Sequence, residues 1–221
     1  MIKAVVFDLD GTLLDTIPDI AAALNHALES CGLPTHPVRA CEKFVGGGIR
    51  EAVRKAAPQN SSEETIDQVL AAYHGCYPNH CTEKTALYPG IPELLEGLAR
   101  RDLILGVLSN KTEDTAKKVV KAYFPDVPFR FVFGRVDCRP LKPDPNAAAP
   151  VLEALSLPPK QIAYVGDSGT DMSFATAAGM LPAAAPWGYR SKGELVENGA
   201  ALVPETPAGL MELLLAAAQG H

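Results

Sequence analysis

A short apolar run that leads directly into two acids constrains the fold of this chain more than any other feature. Residues Lys3 to Thr16 read KAVVFDLDGTLLDT, and the apolar residues before the first acid do not alternate with polar ones. This pattern is typical of a strand that is buried on both faces of a parallel sheet. Burying Asp8 and Asp10 at the end of such a strand costs free energy of desolvation unless a cation or hydrogen-bond donors compensate. The pair therefore indicates a metal site or a reaction.

The second half of the chain alternates short apolar strands with helices. The predicted strands begin near Leu103, Phe131, Gln161 and Met180, and segments with helical patterns lie between them. This alternation is typical of βαβ units and a parallel sheet. We therefore expect an α/β fold, with a Rossmann-like parallel sheet core, helices on both faces and a small helical cap domain.

The segment between the first strand and the second contains only helical patterns. DIAAALNHALESCG has apolar residues at helical spacing and ends in Gly, and SSEETIDQVLAAYHGCY begins with Ser and acidic residues, as a helix start does. We expect residues 1–14 and 83–221 to form the α/β catalytic core domain and residues 15–82 to form the helical cap domain.

Polar residues follow four of the predicted strands at equivalent places. In open α/β sheets, ligands bind beyond the carboxyl ends of the strands, where the strand order reverses. Each residue alone could be a helix cap or a turn residue, but acids, a hydroxyl and a lysine from four strand ends together favour one shared site. In chain order these residues are Asp8, Asp10, Ser109, Asn110, Lys142, Asp167 and Asp171.

Four motifs carry a resemblance to a known family. DLDGT, LSN, KPDP and GDSGTD, in this order and spacing, resemble the motifs of the haloacid dehalogenase-like hydrolase superfamily, and within it the phosphoglycolate phosphatase-like branch with a helical cap. The resemblance covers nearly the whole chain, including YPGIPELLEGL at the return from the cap. It implies an Mg2+-dependent phosphatase that hydrolyses a small phosphate monoester, with 2-phosphoglycolate as the leading candidate, through an aspartyl-phosphate intermediate.

The resemblance implies a role for both acids of the first motif. Asp8 is the nucleophile that attacks phosphorus, which divides one difficult step into two. Asp10 protonates the leaving group and later deprotonates the attacking water. Members of the superfamily that displace halide lack the second acid, so the presence of Asp10 favours a phosphate ester as substrate.

The remaining motifs are expected to neutralise and position the phosphate. By resemblance, Mg2+ is held by the Asp8 side chain, the Asp10 backbone carbonyl and Asp167, and such oxygen ligands suit this ion. Asp171, four residues after Asp167, is expected to orient these ligands. Lys142, Ser109 and Asn110 are expected to bind phosphoryl oxygens.

The predicted cap contains a glycine-rich segment with two interpretations. FVGGGIREAVRKA places three glycines before a helix, where backbone N–H groups can bind an anion. Gly47, Gly48 and Arg50, with Lys43 nearby, are candidate contacts for the far end of a substrate. A flexible hinge or turn explains the glycines equally well.

Two other functions stay open at this point. A sugar phosphomutase of the same superfamily would return the phosphoryl group to its substrate, but such relatives usually carry Glu before the last motif's first Asp, where this chain has Gly166. A non-catalytic binding protein that keeps the fold would be expected to lose the nucleophile or the lysine, and both are present. The residues therefore favour hydrolysis.

Charge and composition restrict the partners. A net charge of -6 argues against nucleic acid, which basic surfaces bind, so we expect a small phosphorylated metabolite. The start MIKAVVF does not read as a signal peptide, and no apolar run is long enough to cross a membrane. We expect a cytoplasmic monomer or homodimer that binds no membrane.

The segment HGCYPNHC is the one candidate for a second metal site. It contains His74, Cys76, His80 and Cys81. Their spacing matches no familiar zinc pattern, and the five cysteines of the chain include no CxxC pair. We expect these to be solvated residues where a helix ends in a loop.

Overall fold

The computed structural model describes residues 1–220. It divides into two compact units, one formed by Met1–Leu14 together with the chain from Leu87 onward, and the other by Asp15–Ala86. The second boundary thus lies four residues later than the 82/83 boundary expected from the sequence. The reason is Asp19, whose buried carboxylate accepts hydrogen bonds of 2.9 Å from the backbone N–H groups of Lys84 and Thr85 and so holds this segment in the smaller unit.

The larger unit is built around a parallel sheet. The strands of residues 1–220 are β1 (Ala4–Phe7), β2 (Leu14–Asp15), β3 (Ala86–Leu87), β4 (Ile104–Thr112), β5 (Phe129–Arg135), β6 (Ile162–Gly166) and β7 (Leu181–Ala184). The sheet has the spatial order β5-β4-β1-β6-β7, so the chain order reverses on the two sides of the central strand, and every pairing in it is parallel. This confirms the α/β fold expected from the sequence. Strands β2 and β3 form a separate two-stranded pair that the sequence did not predict.

Strand β1 explains why the chain starts with an uninterrupted apolar run. Successive side chains of a strand point to opposite faces of the sheet. Ala4 and Val6 lie in one hydrophobic cluster with Tyr164, while Val5 and Phe7 point the other way, and all four β1 side chains are buried. Both faces of the sheet are therefore covered, as in other all-parallel sheets.

Helices surround the sheet and make up most of the smaller unit. Ser62 begins the longest helix by accepting a hydrogen bond of 3.1 Å from the Thr65 backbone N–H, as its sequence pattern predicts. Within residues 1–220, no helix combines the length and the apolar character that crossing a bilayer requires. The helices are α1 (Ile17–Ser30), α2 (Val38–Cys41), α3 (Ile49–Ala56), α4 (Glu63–His80), α5 (Ile91–Ala99), α6 (Glu113–Tyr123), α7 (Ala149–Leu155), α8 (Gly169–Ala177), α9 (Lys192–Glu197) and α10 (Pro207–Gln219).

The segment that contains His74, Cys76, His80 and Cys81 differs from the expected solvated loop. Helix α4 continues to His80, so three of the four residues are helical, and Cys81 is completely buried. The His80 ring lies 2.7 Å from Glu83 Oε1. Among the residues that the structure describes, these four side chains do not come together as a metal-binding group.

Candidate active site

Three buried carboxylates converge at the carboxyl ends of the two central strands. Asp8 follows β1 directly, and Asp167 follows the neighbouring strand β6. Asp171 lies in the first turn of α8. Each of the three offers a carboxylate oxygen that lies within 4.8 Å of the other two. The parallel register of β1 and β6 thus brings together acids that are more than 150 residues apart in the chain.

The ammonium group of Lys142 lies among these acids. Its Nζ is 2.6 Å from Asp171 Oδ1, 3.1 Å from Asp8 Oδ1 and 2.6 Å from the hydroxyl of Tyr164. That hydroxyl donates to the Leu108 carbonyl at 2.7 Å and therefore accepts from Lys142. Burial by itself lowers the pKa of Lys142, but Asp171 and Asp8 raise it well above its ordinary value. Lys142 is therefore a permanent positive charge in the site.

One lysine does not neutralise three acids. Burial, partly opposed by Lys142, raises the pKa of Asp8 from its ordinary value of 3.8 to about 6. Burial and the charges of Asp171 and Asp8 also raise the pKa of Asp167 well above that value. Asp8 Oδ1 accepts no hydrogen bond from the residues that the structure describes, although it is buried. Lys142 Nζ, 3.1 Å away, is the cation that this oxygen faces. A buried oxygen with so little compensation, among other hard oxygen ligands, fits a divalent cation such as Mg2+.

Asp171 is held in place by the start of its own helix. Ser168 caps α8, and its backbone N–H and hydroxyl donate to Asp171 Oδ2 at 3.1 and 2.5 Å. The other carboxylate oxygen, Oδ1, contacts Lys142. Both oxygens therefore already have partners, which suits the orienting role expected from the sequence.

Ser109 and Asn110 both lie in β4, and the Asn110 side chain contacts the backbone of Lys142. Its side-chain amide donates to the Lys142 carbonyl and accepts from the Lys142 backbone N–H, each at 3.0 Å. The amide oxygen and nitrogen are thus used to fix the loop that carries Lys142. The Ser109 hydroxyl accepts from the Lys111 backbone N–H at 3.3 Å and is buried beside the site.

Lys111 is a site residue that the sequence reasoning missed. Its Nζ lies 2.8 and 3.0 Å from the two carboxylate oxygens of Asp10, and its side chain is only 5% exposed. The sequence feature that could have identified Lys111 is its position two residues after Ser109. Residues two apart in a strand point to the same face, so the spacing places Lys111 on the side of Ser109.

The loop after β7 also reaches the site, although no sequence motif indicated this. The Tyr189 backbone N–H donates to Asp167 Oδ2 at 2.8 Å, and Trp187 Nε1 donates to the Thr12 carbonyl at 2.9 Å. Gly188 lies so close to Asp167 and to the Gly11 carbonyl that any side chain at this position would overlap them. This loop therefore packs directly against the first motif.

Comparison with known proteins agrees with this geometry. Residues 5–185 match the model of the haloacid dehalogenase-like hydrolase family. The chain belongs to this family. A phosphoglycolate phosphatase of Pseudomonas syringae pv. tomato is 32% identical over 206 residues, which are 91% of this chain and 75% of that protein. A phosphoglycolate phosphatase of Aquifex aeolicus is 33% identical over 187 residues, which are 85% of this chain and 86% of that protein.

Solved structures give the same result for the fold. A protein of Lactobacillus delbrueckii subsp. bulgaricus, provisionally assigned as a phosphoglycolate phosphatase, superposes with a TM-score of 0.90 at 30% identity, over 96% of this chain and 98% of that one. This haloacid dehalogenase-like hydrolase thus lies in the phosphoglycolate phosphatase-like branch. It is a phosphoric monoester hydrolase, as the sequence predicted.

In the smaller unit of the hydrolase, the candidate anion site already faces acids. The Arg50 guanidinium lies 2.6 Å from Asp67 Oδ1 and 2.9 Å from Glu63 Oε2. The carboxylate of Glu51 lies against the backbone of Gly47, where a side chain would overlap it. Gly48, with a φ of 88°, is the residue before α3. Arg50 therefore joins α3 to α4, and its charge is already balanced.

Proposed function

We propose that this chain is an Mg2+-dependent phosphatase that hydrolyses a small phosphate monoester, with 2-phosphoglycolate as the leading candidate. The observation that carries the proposal is the convergence of Asp8, Asp167 and Asp171 at the carboxyl ends of β1 and β6, where Lys142 contacts Asp8 and Asp171. The names of the relatives from Pseudomonas syringae and Aquifex aeolicus support the substrate.

Asp8 is the proposed nucleophile. Its position directly after the central strand fixes its backbone, since its N–H donates to the Val165 carbonyl at 2.8 Å. Among the described residues its Oδ1 accepts no hydrogen bond and faces the Lys142 ammonium group at 3.1 Å, so this oxygen can form a bond to phosphorus while the ion pair stays in place. The ester oxygen leaves with the electron pair of the P–O bond, and the aspartyl-phosphate remains.

Asp10 is the proposed general acid and base. The leaving alkoxide takes a proton from its carboxyl group, and the same carboxylate then removes a proton from the water that hydrolyses the aspartyl-phosphate. Asp10 is part-buried, and Lys111 holds its two oxygens. Asp8 and Asp10 thus have separate cationic partners, Lys142 and Lys111, which suits two acids with different tasks.

The phosphoryl oxygens are proposed to lie between Lys142 and the end of β4. Lys142 supplies a positive charge in a buried site, where charges interact strongly. Ser109 supplies a hydroxyl donor from the neighbouring strand. We assign the side chain of Asn110 to holding Lys142 rather than to a direct phosphate contact, because both ends of its amide bind the Lys142 backbone.

The residues present fit Mg2+. The proposed ligands are Asp8, Asp167 and the Asp10 backbone carbonyl. The Tyr189 backbone N–H donates to Asp167 Oδ2 and thereby orients this ligand. When bound, Mg2+ supplies positive charge that offsets the repulsion between these acids and a phosphate dianion. Asp171 stays a positioning residue, because its oxygens are bound to Ser168 and Lys142.

The position of Gly166 supports hydrolysis over phosphomutase chemistry. A side chain at Gly166 would overlap the side chain of Asp171. A glutamate there, as in the sugar phosphomutase relatives, would displace the residue that holds Lys142. The complete set of Asp8, Asp10, Lys142 and Asp167 likewise argues against a non-catalytic binding protein.

We also propose domain assignments, a cellular location and an oligomeric state for the enzyme. We assign Asp15–Ala86 as the cap domain and the larger unit as the catalytic core. None of the five cysteines is in a disulfide, which supports a reducing, cytoplasmic location. We expect the chain to act as a monomer or homodimer without nucleic acid or membrane.

Phosphate release from 2-phosphoglycolate and from p-nitrophenyl phosphate, with and without Mg2+, tests the proposal. Asp8→Asn is expected to abolish turnover, and the exposed Asp126→Asn is the matched control that keeps it. A second readout needs no activity: Mg2+ is expected to raise the Tm of the wild type but not that of Asp167→Asn. Turnover by Asp8→Asn near the wild-type kcat would overturn the mechanism.

A further inference from the structure

Asp10, the proposed general acid, is ion-paired with Lys111, so this lysine lies near the position proposed for the leaving group. Lys111 lies in β4, and its side chain is only 5% exposed. Its Nζ contacts both carboxylate oxygens of Asp10, at 2.8 and 3.0 Å. Burying an ammonium group is costly unless negative charge stays close to it. Lys142, the other lysine of the site, faces Asp8 and Asp171 instead.

We propose that Lys111 is a specificity-determining residue that binds a carboxylate on the leaving group of the substrate. This inference rests on the proposed function. The substrate class is that of phosphate monoesters with a carboxylate on the carbon that bears the ester oxygen. Lys111 distinguishes them from esters of neutral alcohols, while Lys142 binds the phosphoryl end that all of them share.

The proposed role of Asp10 limits how far Lys111 can lie from the leaving oxygen. To protonate the leaving oxygen, Asp10 has to lie within hydrogen-bond distance of it, and Lys111 Nζ is 2.8 Å from Asp10 Oδ1, so the ester oxygen and Nζ are at most about 6 Å apart. A carboxylate two bonds beyond the ester oxygen spans that separation. A neutral hydroxyl at the same position would leave the ammonium group without this second negative partner.

A different role for Lys111 predicts a different result. If Lys111 only held Asp10 in place, its loss would slow every substrate whose leaving group needs a proton. If it binds the leaving group, its loss acts mainly on carboxylate-bearing substrates. The comparison therefore needs two substrates of the same size and with leaving groups of similar basicity. 2-Phosphoglycolate and 2-hydroxyethyl phosphate are such a pair, because CH2OH replaces the carboxylate.

The experiment measures kcat/KM for both esters in the wild type, in Lys111→Met and in Lys117→Met. Lys117 is the matched control, since it is an exposed lysine on α6 that is paired with Glu113. We expect the wild type to prefer 2-phosphoglycolate and Lys111→Met to lower that preference about tenfold to a hundredfold, the loss of a charged hydrogen bond. Lys117→Met is expected to keep the wild-type ratio.

Each outcome decides the inference. A lowered ratio supports it, and an unchanged ratio with equal losses for both esters overturns it in favour of a purely positioning role. Lys111→Gln, which keeps a hydrogen-bonding amide beside Asp10, carries the test if the Met variant does not fold. A wild type that releases phosphate from no ester would overturn the proposed phosphatase itself. A wild type that hydrolyses both esters equally well would overturn only the assignment of Lys111.

Discussion

The indole nitrogen of Trp187 donates a hydrogen bond of 2.9 Å to the backbone carbonyl of Thr12, across 175 residues of the chain. Thr12 is completely buried, and its hydroxyl donates to Asp167 Oδ1 at 3.4 Å. The hydrogen bond from Trp187 and the contact with Asp167 therefore both hold Thr12, in the loop that follows Asp8 and Asp10. The Trp187–Thr12 hydrogen bond thus connects the loop after β7 to the first motif, which contains the proposed nucleophile and general acid.

Trp187→Phe is expected to loosen that loop. The buried Thr12 carbonyl loses its partner, so the free energy of unfolding should fall by about 1 kcal/mol, and kcat should fall for all substrates alike. Because Trp187 is the one tryptophan of the chain, circular dichroism rather than fluorescence has to follow urea unfolding of the variant. Unchanged stability and kcat would show that the bond does not support the site.

Tyr164→Phe tests how Lys142 is held. The change removes the hydroxyl that accepts from Lys142 and donates to the Leu108 carbonyl, both in the buried core. The free energy of unfolding is expected to fall by about 1–3 kcal/mol. The kcat/KM values for 2-phosphoglycolate and 2-hydroxyethyl phosphate should fall by similar factors, because both share the phosphoryl end. A change confined to one ester would contradict this placement of Lys142.

The raised pKa of Asp8 predicts a pH dependence of stability in the metal-free protein. The folded pKa of about 6 lies above the ordinary value of 3.8, so the folded state binds the extra proton between these values. Stability from this group is therefore present at low pH and is lost as the pH rises through 6. Relative to Asp8→Asn, the wild type should gain about 1 kcal/mol between pH 7 and pH 5.

Urea unfolding of both proteins in EDTA, at pH 5 and pH 7, measures this difference. The comparison with Asp8→Asn cancels the contributions of the other acids to first order. A difference between the two proteins that does not vary with pH would mean that Asp8 has an ordinary pKa in the folded state.

Arg50→Ala tests the glycine-rich segment of the smaller unit. Because Glu63 and Asp67 already bind the guanidinium, we expect the ratio of kcat/KM for 2-phosphoglycolate and p-nitrophenyl phosphate to stay as in the wild type. The Tm should change little, since exposed ion pairs contribute little to stability. A ratio that falls on this substitution would instead favour the anion site that the glycines indicate.

The sequence alone predicted the sheet and the residues at its strand ends. Apolar runs such as Ala4–Phe7 are typical of strands buried on both faces, and their alternation with helices is typical of parallel pairing. The positions of Asp8 and Asp167 follow from that, because parallel strands end at the same edge of the sheet. These features depend on local pattern and on a general rule of topology, and both can be read along the chain.

The tertiary structure decided the partners of these residues. The amide of Asn110 binds the Lys142 backbone, Lys111 pairs with Asp10, and the acids of α4 neutralise Arg50. A side chain's type gives its chemistry, but its partner depends on which distant segment packs against it. Thr12 and Trp187 show this most clearly, since nothing near either residue in the sequence indicates the other, and only the packing of the loop after β7 against the first motif brings them within hydrogen-bond distance.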